Sequence, residues 1–145
     1  MKISSVFKHG ENIPTENTCD GQNTCPELNI ADVPKEAKSL VLIMDDPDAP
    51  AGTFVHWVAW NIHRDTKKIE KDSKAGVEGR GTSGRTGYHG PCPPPGHGPH
   101  RYFFRLYALD TELSLEEGAE RMDLENAMEG HIIAEAELMG TYERR

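Results

Sequence analysis

Ser39 to Ile62 reads SLVLIMDDPDAPAGTFVHWVAWNI. Its first part, Ser39 to Asp46, is a continuous apolar run that stops abruptly at acid, the pattern of a fully buried strand whose end emerges at a surface or cleft. Asp46 to Gly52, DPDAPAG, is turn-rich, and its prolines exclude a helix. Phe54 to Ile62 is a second strand. Its period-two faces are Phe54, His56, Val58, Trp60 and Ile62 on one side and Val55, Trp57, Ala59 and Asn61 on the other. Both faces are mostly apolar, which predicts a central strand of a sheet covered on both sides. If the 46–54 link is a wide antiparallel turn, the acids Asp45, Asp46 and Asp48 and the imidazole of His56 lie near one rim.

Outward from this pair, Tyr102 to Leu109 is a third strong strand, with Tyr102, Phe104, Leu106 and Ala108 on one face. Ile3 to Phe7 is a short edge strand, and His9 to Pro26 a long loop of turn formers. Glu27 to Val33 alternates only weakly. Lys67 to Thr86 is charged and glycine-rich and reads as a solvated excursion without a site. Ser114 with Glu117 forms a capping-box pattern that predicts a short helix. Asp123 predicts the cap of a second helix through Met128, ended by Gly130. His131 to Tyr142 fits a helix at Ile132, Ile133, Ala136 and Met139, and fits a strand at Ile132, Ala134, Ala136 and Leu138 equally well.

The 145 residues suit one domain, 1–145, with a substantial core. The formal net charge of −8 argues against a nucleic-acid backbone or an anionic membrane as partner, since both favour a basic face. The longest aliphatic run, Leu40 to Met44, is too short to span a bilayer. The start of the chain lacks an apolar stretch long enough for a secretory signal, so the expected location is cytoplasmic. Cys19, Cys25 and Cys92 leave the pairing open. Free buried thiols are the reading a reducing compartment favours. A zinc site is disfavoured by the missing CxxC spacing.

The chemistry concentrates in Gly87 to Tyr102, GYHGPCPPPGHGPHRY, which holds four glycines, five prolines and three histidines. Such a stretch is neither helix nor central strand, and a stiff loop running into a strand can wall a pocket. It brings His100 and Arg101 to the start of the third strand. If the three strands share a sheet, Asp46, His56 and His100 converge at one rim. Carboxylates beside imidazoles would then fix the rings and favour their charged form, making a donor-rich cavity for a phosphate, carboxylate or sulfate. The same residue types would serve a divalent metal or acid–base catalysis. No nucleophile is placed for catalysis, and the HxH, HxxxH and HExxH metal spacings are absent.

Asp46-Pro47-Asp48-Ala49-Pro50, His56-Trp57, Gly90-Pro91-Cys92-Pro93-Pro94, His100-Arg101-Tyr102 and Leu106 to Asp110 resemble the phosphatidylethanolamine-binding protein (PEBP) family, in its prokaryotic Raf-kinase-inhibitor-like branch. Cys19-Asp20-Gly21 and the segments around Gly130 and Gly140 match as well, so the resemblance spans nearly the whole chain. Cys25 and Ile30 depart from the branch, which often has serine and tryptophan there. The resemblance implies a mainly β fold, a sandwich with a large central antiparallel sheet, a smaller sheet packed on it and a few short helices. It also implies an anion pocket with Asp46, Asp48, His56, Pro94, His100, Arg101 and Tyr102 as ligand-binding residues and no cofactor or metal. His9, His63, His89, His97 and His131 match no pocket position and read as structural or solvated. The implied ligand is a small anion or phosphorylated headgroup, and the implied role is occupancy-based inhibition of a kinase or serine protease. The alternative is a hydrolase or lyase using His–Asp pairs. The animal members' C-terminal helix over the pocket has no counterpart here, which implies a more open site. Prokaryotic members are often dimeric, which implies a homodimer.

Overall fold

In the computed structural model, which describes residues 1–145, the strands follow the apolar runs. They are β1 (Lys2–Ser5), β2 (Leu28–Ala31), β3 (Ser39–Asp46), β4 (Phe54–His63), β5 (Lys68–Ile69), β6 (Val77–Glu78) and β7 (His100–Leu109). A single α-helix, α1 (Arg121–Met128), precedes β8 (Ile132–Tyr142). Five strands in the order β6-β4-β3-β7-β8 make a large antiparallel sheet, and β1-β2-β5 make a smaller one. This is the expected β-sandwich.

Every residue of β3 is buried, as a strand covered on both faces requires. Leu40, Leu42 and Met44 face the smaller sheet and join the main core with Ile3, Leu28, Ile30, Trp57, Phe104 and Leu106. Val41 and Ile43 face the other way, against Val58, Trp60, Leu113 and the α1 residues Leu124 and Met128. The period-two pleat therefore sends the consecutive acids Asp45 and Asp46 to opposite faces. On the α1 face, Asp45 is 2% exposed. It accepts from Arg105 at 3.0 and 3.1 Å and from Arg121 at 2.7 Å. Arg105 also lies 4.5 Å over the Phe103 ring.

Four local expectations are corrected. The stretch after Ser114 forms no helix. Asn61 exchanges hydrogen bonds with both backbone groups of Leu113, and the Trp60 indole donates to the Leu115 carbonyl, so the segment is held extended along β4. Helix α1 starts earlier than Asp123: the backbone N–H of Glu120 donates to Asp123 Oδ2, which places the aspartate in the first turn. Lys67 to Thr86 is not merely solvated, because it supplies β5 and β6 and buries Ile69, Ala75 and Glu78, the last accepting from the Trp57 indole at 2.6 Å. Cys19 and Cys92 form a disulfide with their Cα atoms 5.4 Å apart, so only Cys25 is a buried free thiol. The ambiguous tail is a strand, β8, whose Ala134, Ala136 and Leu138 pack on the main core and whose backbone completes the ladder of β7.

Removing the Asp45 carboxylate leaves two partly buried guanidiniums without their counter-charge. Asp45→Ala is expected to lose about 3 kcal/mol of stability, read as a lower urea midpoint at unchanged slope, with Asp45→Asn losing less.

Candidate functional site

The turn between β3 and β4 and the first residue of β7 come together at one rim of the large sheet. A cavity of about 250 Å³ opens there, lined by Asp46, Ala49, Pro50, Phe54, His56, His89, Cys92, Pro93, Pro94, His100 and Tyr102. Of the seven residues expected from sequence, Asp46, His56, Pro94, His100 and Tyr102 line it. Asp48 and Arg101 do not. They form a two-pronged pair at the rim, with Arg101 Nε and Nη2 each 2.9 Å from the carboxylate and the Arg101 backbone N–H donating to it as well. This pairing holds the Asp48 carboxyl down at about 2. It ties the turn after β3 to the start of β7.

His56 reaches the cavity through an irregularity. Met44 pairs with Trp57 and Asp45 with Val55, so His56 is an extra residue in β4 with no partner on β3. This β-bulge breaks the alternation read from sequence, which had set His56 and Trp57 on opposite faces. A second register shift between Leu40 and Leu42 brings Ile62 back to the main core. The freed backbone at His56 pairs instead with the Gly/Pro loop. The His89 N–H donates to the His56 carbonyl at 3.2 Å, and His56 Nδ1 donates to the His89 carbonyl at 2.6 Å. A carbonyl can only accept, so Nδ1 carries the proton and Nε2 is the acceptor. Burial pushes the His56 pKa down to about 4. The ring is therefore neutral at neutral pH, packed 4.6 Å from Phe54 and edge-on to Tyr102 at 5.3 Å.

His100 is held differently. Its Nδ1 donates to Asp46 Oδ2 at 2.7 Å, with both side chains at most 4% exposed. The other Asp46 oxygen accepts the Asp48 N–H at 2.7 Å. The carboxylate thus orients the imidazole and compensates any positive charge on it. Tyr102, 1% exposed, has its phenol pushed up by burial and by Asp46, so it stays a neutral O–H. Of the two histidine–aspartate pairs expected, only His100 with Asp46 forms; the partner of His56 is a backbone carbonyl.

Sequence reasoning missed His89 and His97 as part of this site. His89 lines the cavity, its ring parallel to that of His56 at 6.0 Å. His97 Nδ1 lies 2.6 Å from His100 Nε2. The density of histidine in Gly87–Tyr102 was the available signal. Cys92, bonded to Cys19, carries the proline wall, and the Gly96 N–H bonds the Arg144 carbonyl. Gly90 fits beneath the wall only as glycine, since a Cβ would come within 2.3 Å of the Asn17 carbonyl.

The family model described as phosphatidylethanolamine-binding protein matches residues 3–143. A UPF0098 protein of Pyrococcus horikoshii is 52% identical, over 100% of this chain and 77% of its own length. A UPF0098 protein of Methanothermobacter thermautotrophicus is 50% identical, over 96% of this chain and 95% of its own length. Two crystal structures share the fold. One, from Chlamydia trachomatis and described as a phosphatidylethanolamine-binding protein homologue, has a TM-score of 0.95 at 44% identity, covering 99% of this chain and 97% of its own. The other, Escherichia coli YbcL, described as a member of the mammalian PEBP family, has a TM-score of 0.92 at 30% identity, covering 99% and 98%.

Two outcomes follow for the site. The His56 pKa is lowered on folding, so the unfolded chain takes up a proton first as pH falls. Stability is full above about 6.5 and is lost between there and about 4, on the order of 3 kcal/mol for this one group. His56→Phe is expected to flatten that part of the acid limb in denaturant titrations run from pH 7 to 4. The disulfide closes a separation of 73 residues, so Cys92→Ser should lower stability by about 4 kcal/mol, with calorimetry of the wild type in reductant showing a matching drop in Tm.

Proposed function

Because the chain belongs to the phosphatidylethanolamine-binding protein family, we propose that the rim cavity binds a small anionic group, a phosphate or a carboxylate, and that the protein acts by occupancy of that pocket. The observation that carries this reading is the Asp46–His100 pair beside the neutral, buried His56. Asp46 holds Nδ1 of His100, and the ring's other nitrogen, Nε2, is met only by the exposed His97 at 2.6 Å. No protein group bonds Nε2 of His56. An oxyanion seated between the two rings is bound best when the imidazoles carry protons toward it. Phe54, Pro50, Pro93 and Pro94 give the cavity apolar walls, beside which hydrogen bonds to an anion are stronger than in bulk water. The dimensions suit a phosphate group with a short substituent.

Charge supports the local character of the site. With a net charge of −8, the protein as a whole repels anions. Binding must come from groups inside the cavity. On the same reading, the bound state would be sensed by a partner enzyme, a kinase or serine protease being the classes that the resemblance implies. Asp48 and Arg101 belong to this proposal as rim residues that hold the turn and strand together.

Sulfate keeps its charge between pH 5 and 7, so its titration reports only the protein's protons. Each proton taken up on binding raises affinity by up to about tenfold per pH unit. Titrating sulfate and following the histidine ring signals by NMR should show tighter binding at pH 5 than at pH 7, and loss of binding in His100→Ala. Equal affinity at both pH values, or survival in His100→Ala, would sink the reading.

A further inference from the structure

His97 stands outside every role described so far, yet it makes the shortest contact to the pocket's central ring. Its Nδ1 is 2.6 Å from His100 Nε2, and the ring centroids are 4.8 Å apart at 64°. His100 has two ring nitrogens. Asp46 holds Nδ1 and His97 holds Nε2. No nitrogen of His100 is left for a ligand while His97 stays in place.

The two partners of that contact are unequal. His100 is 2% exposed and fixed by a buried carboxylate. His97 is exposed, on a one-residue arch between Gly96 and Gly98. Both glycines sit at positive φ, +77° and +88°, and nothing lies within 4 Å of where a Cβ would project from either. The backbone of the arch is fixed by the Gly96 N–H to the Arg144 carbonyl at 2.8 Å and the His97 N–H to the Pro94 carbonyl at 3.1 Å, so the exposed His97 ring leaves by rotating about its own side-chain bonds. Once displaced, His97 exchanges its bond to His100 for bonds to water, so its departure costs little. The Asp46–His100 pair cannot make the same exchange.

We infer that His97 is the pocket's built-in occupant: it holds the ligand-facing nitrogen of His100, and an oxyanion binds by displacing it. The inference rests on the anion-binding reading and adds the residue that sets its affinity. His97 Nδ1 and the incoming oxygen compete for one position, so affinity is the intrinsic value reduced by the fraction of molecules in which His97 is in place. A single hydrogen bond to a partly exposed partner corresponds to a reduction of about fivefold.

The test is a titration with inorganic phosphate of the wild type, His97→Ala and His97→Gln, at one pH and ionic strength, followed by the ring signals of His100 and His56. His97→Ala is expected to bind phosphate about fivefold more tightly than the wild type. His97→Gln can still hydrogen-bond Nε2 and should stay near the wild-type value. Unchanged or weaker binding in His97→Ala, with the wild type still binding, overturns this inference and leaves the anion reading intact. Equal tightening in both variants also overturns it, since loss of the imidazole and not of the bond would then be the cause. Absence of phosphate binding in all three proteins overturns both. Because His97 is exposed and outside the core, a shared melting temperature will confirm that all three proteins are compared in the same fold.

Discussion

The buried hydrogen bond between Asp46 and His100 joins the last residue of one central strand to the first residue of its neighbour. Both groups are almost wholly excluded from water, where an unpaired carboxylate would be costly. Each offsets part of the other's loss of water, and the Asp48 N–H satisfies the second carboxylate oxygen. The pair closes the open end of the β3–β7 ladder, and the Asp48–Arg101 pair repeats the closure one step further out. The rim is held by these two polar pairs where the apolar ladder stops, the inner one buried and lining the cavity, the outer one exposed beside it.

One residue earlier, Asp45 does the corresponding work on the opposite face. The pleat directs it to Arg105 and to Arg121 of α1, so the helix is attached to the sheet by an ionic contact as well as by Leu124 and Met128. Two adjacent acids thus serve two layers. The first fastens the helix and the second shapes the pocket, and neither could be exchanged with the other without a change in register.

Much of this was legible in the residues. The runs 39–46, 54–62 and 102–109 combine apolar content with β-branched and aromatic side chains, and all three are strands. Acids and histidines at their ends marked the rim, and the family resemblance named the same positions. The bulge at His56 was not legible, because one surplus residue leaves no trace in composition. Periodicity alone did not give the state of 131–142, since Ile, Ala, Glu and Leu satisfy both periods; the family resemblance favoured a strand, and the unpaired edge of β7 holds it as one. The Ser114 pattern had the letters of a cap, but Asn61 and Trp60 claim the backbone groups a helix would need. The Cys19–Cys92 bond crosses 73 positions, a distance over which spacing carries no information. His89 and His97 looked like loop residues because their significance lies in what they touch.

The unpartnered place of His56 in β4 has a wider consequence. Neighbouring pairs, Val55 with Asp45 and Trp57 with Met44, are complete without it. The imidazole is a guest in the sheet, added to a ladder whose other rungs already match. The β3–β4 ladder is thereby complete at the positions on either side, and the side chain at position 56 can change without the loss of a rung.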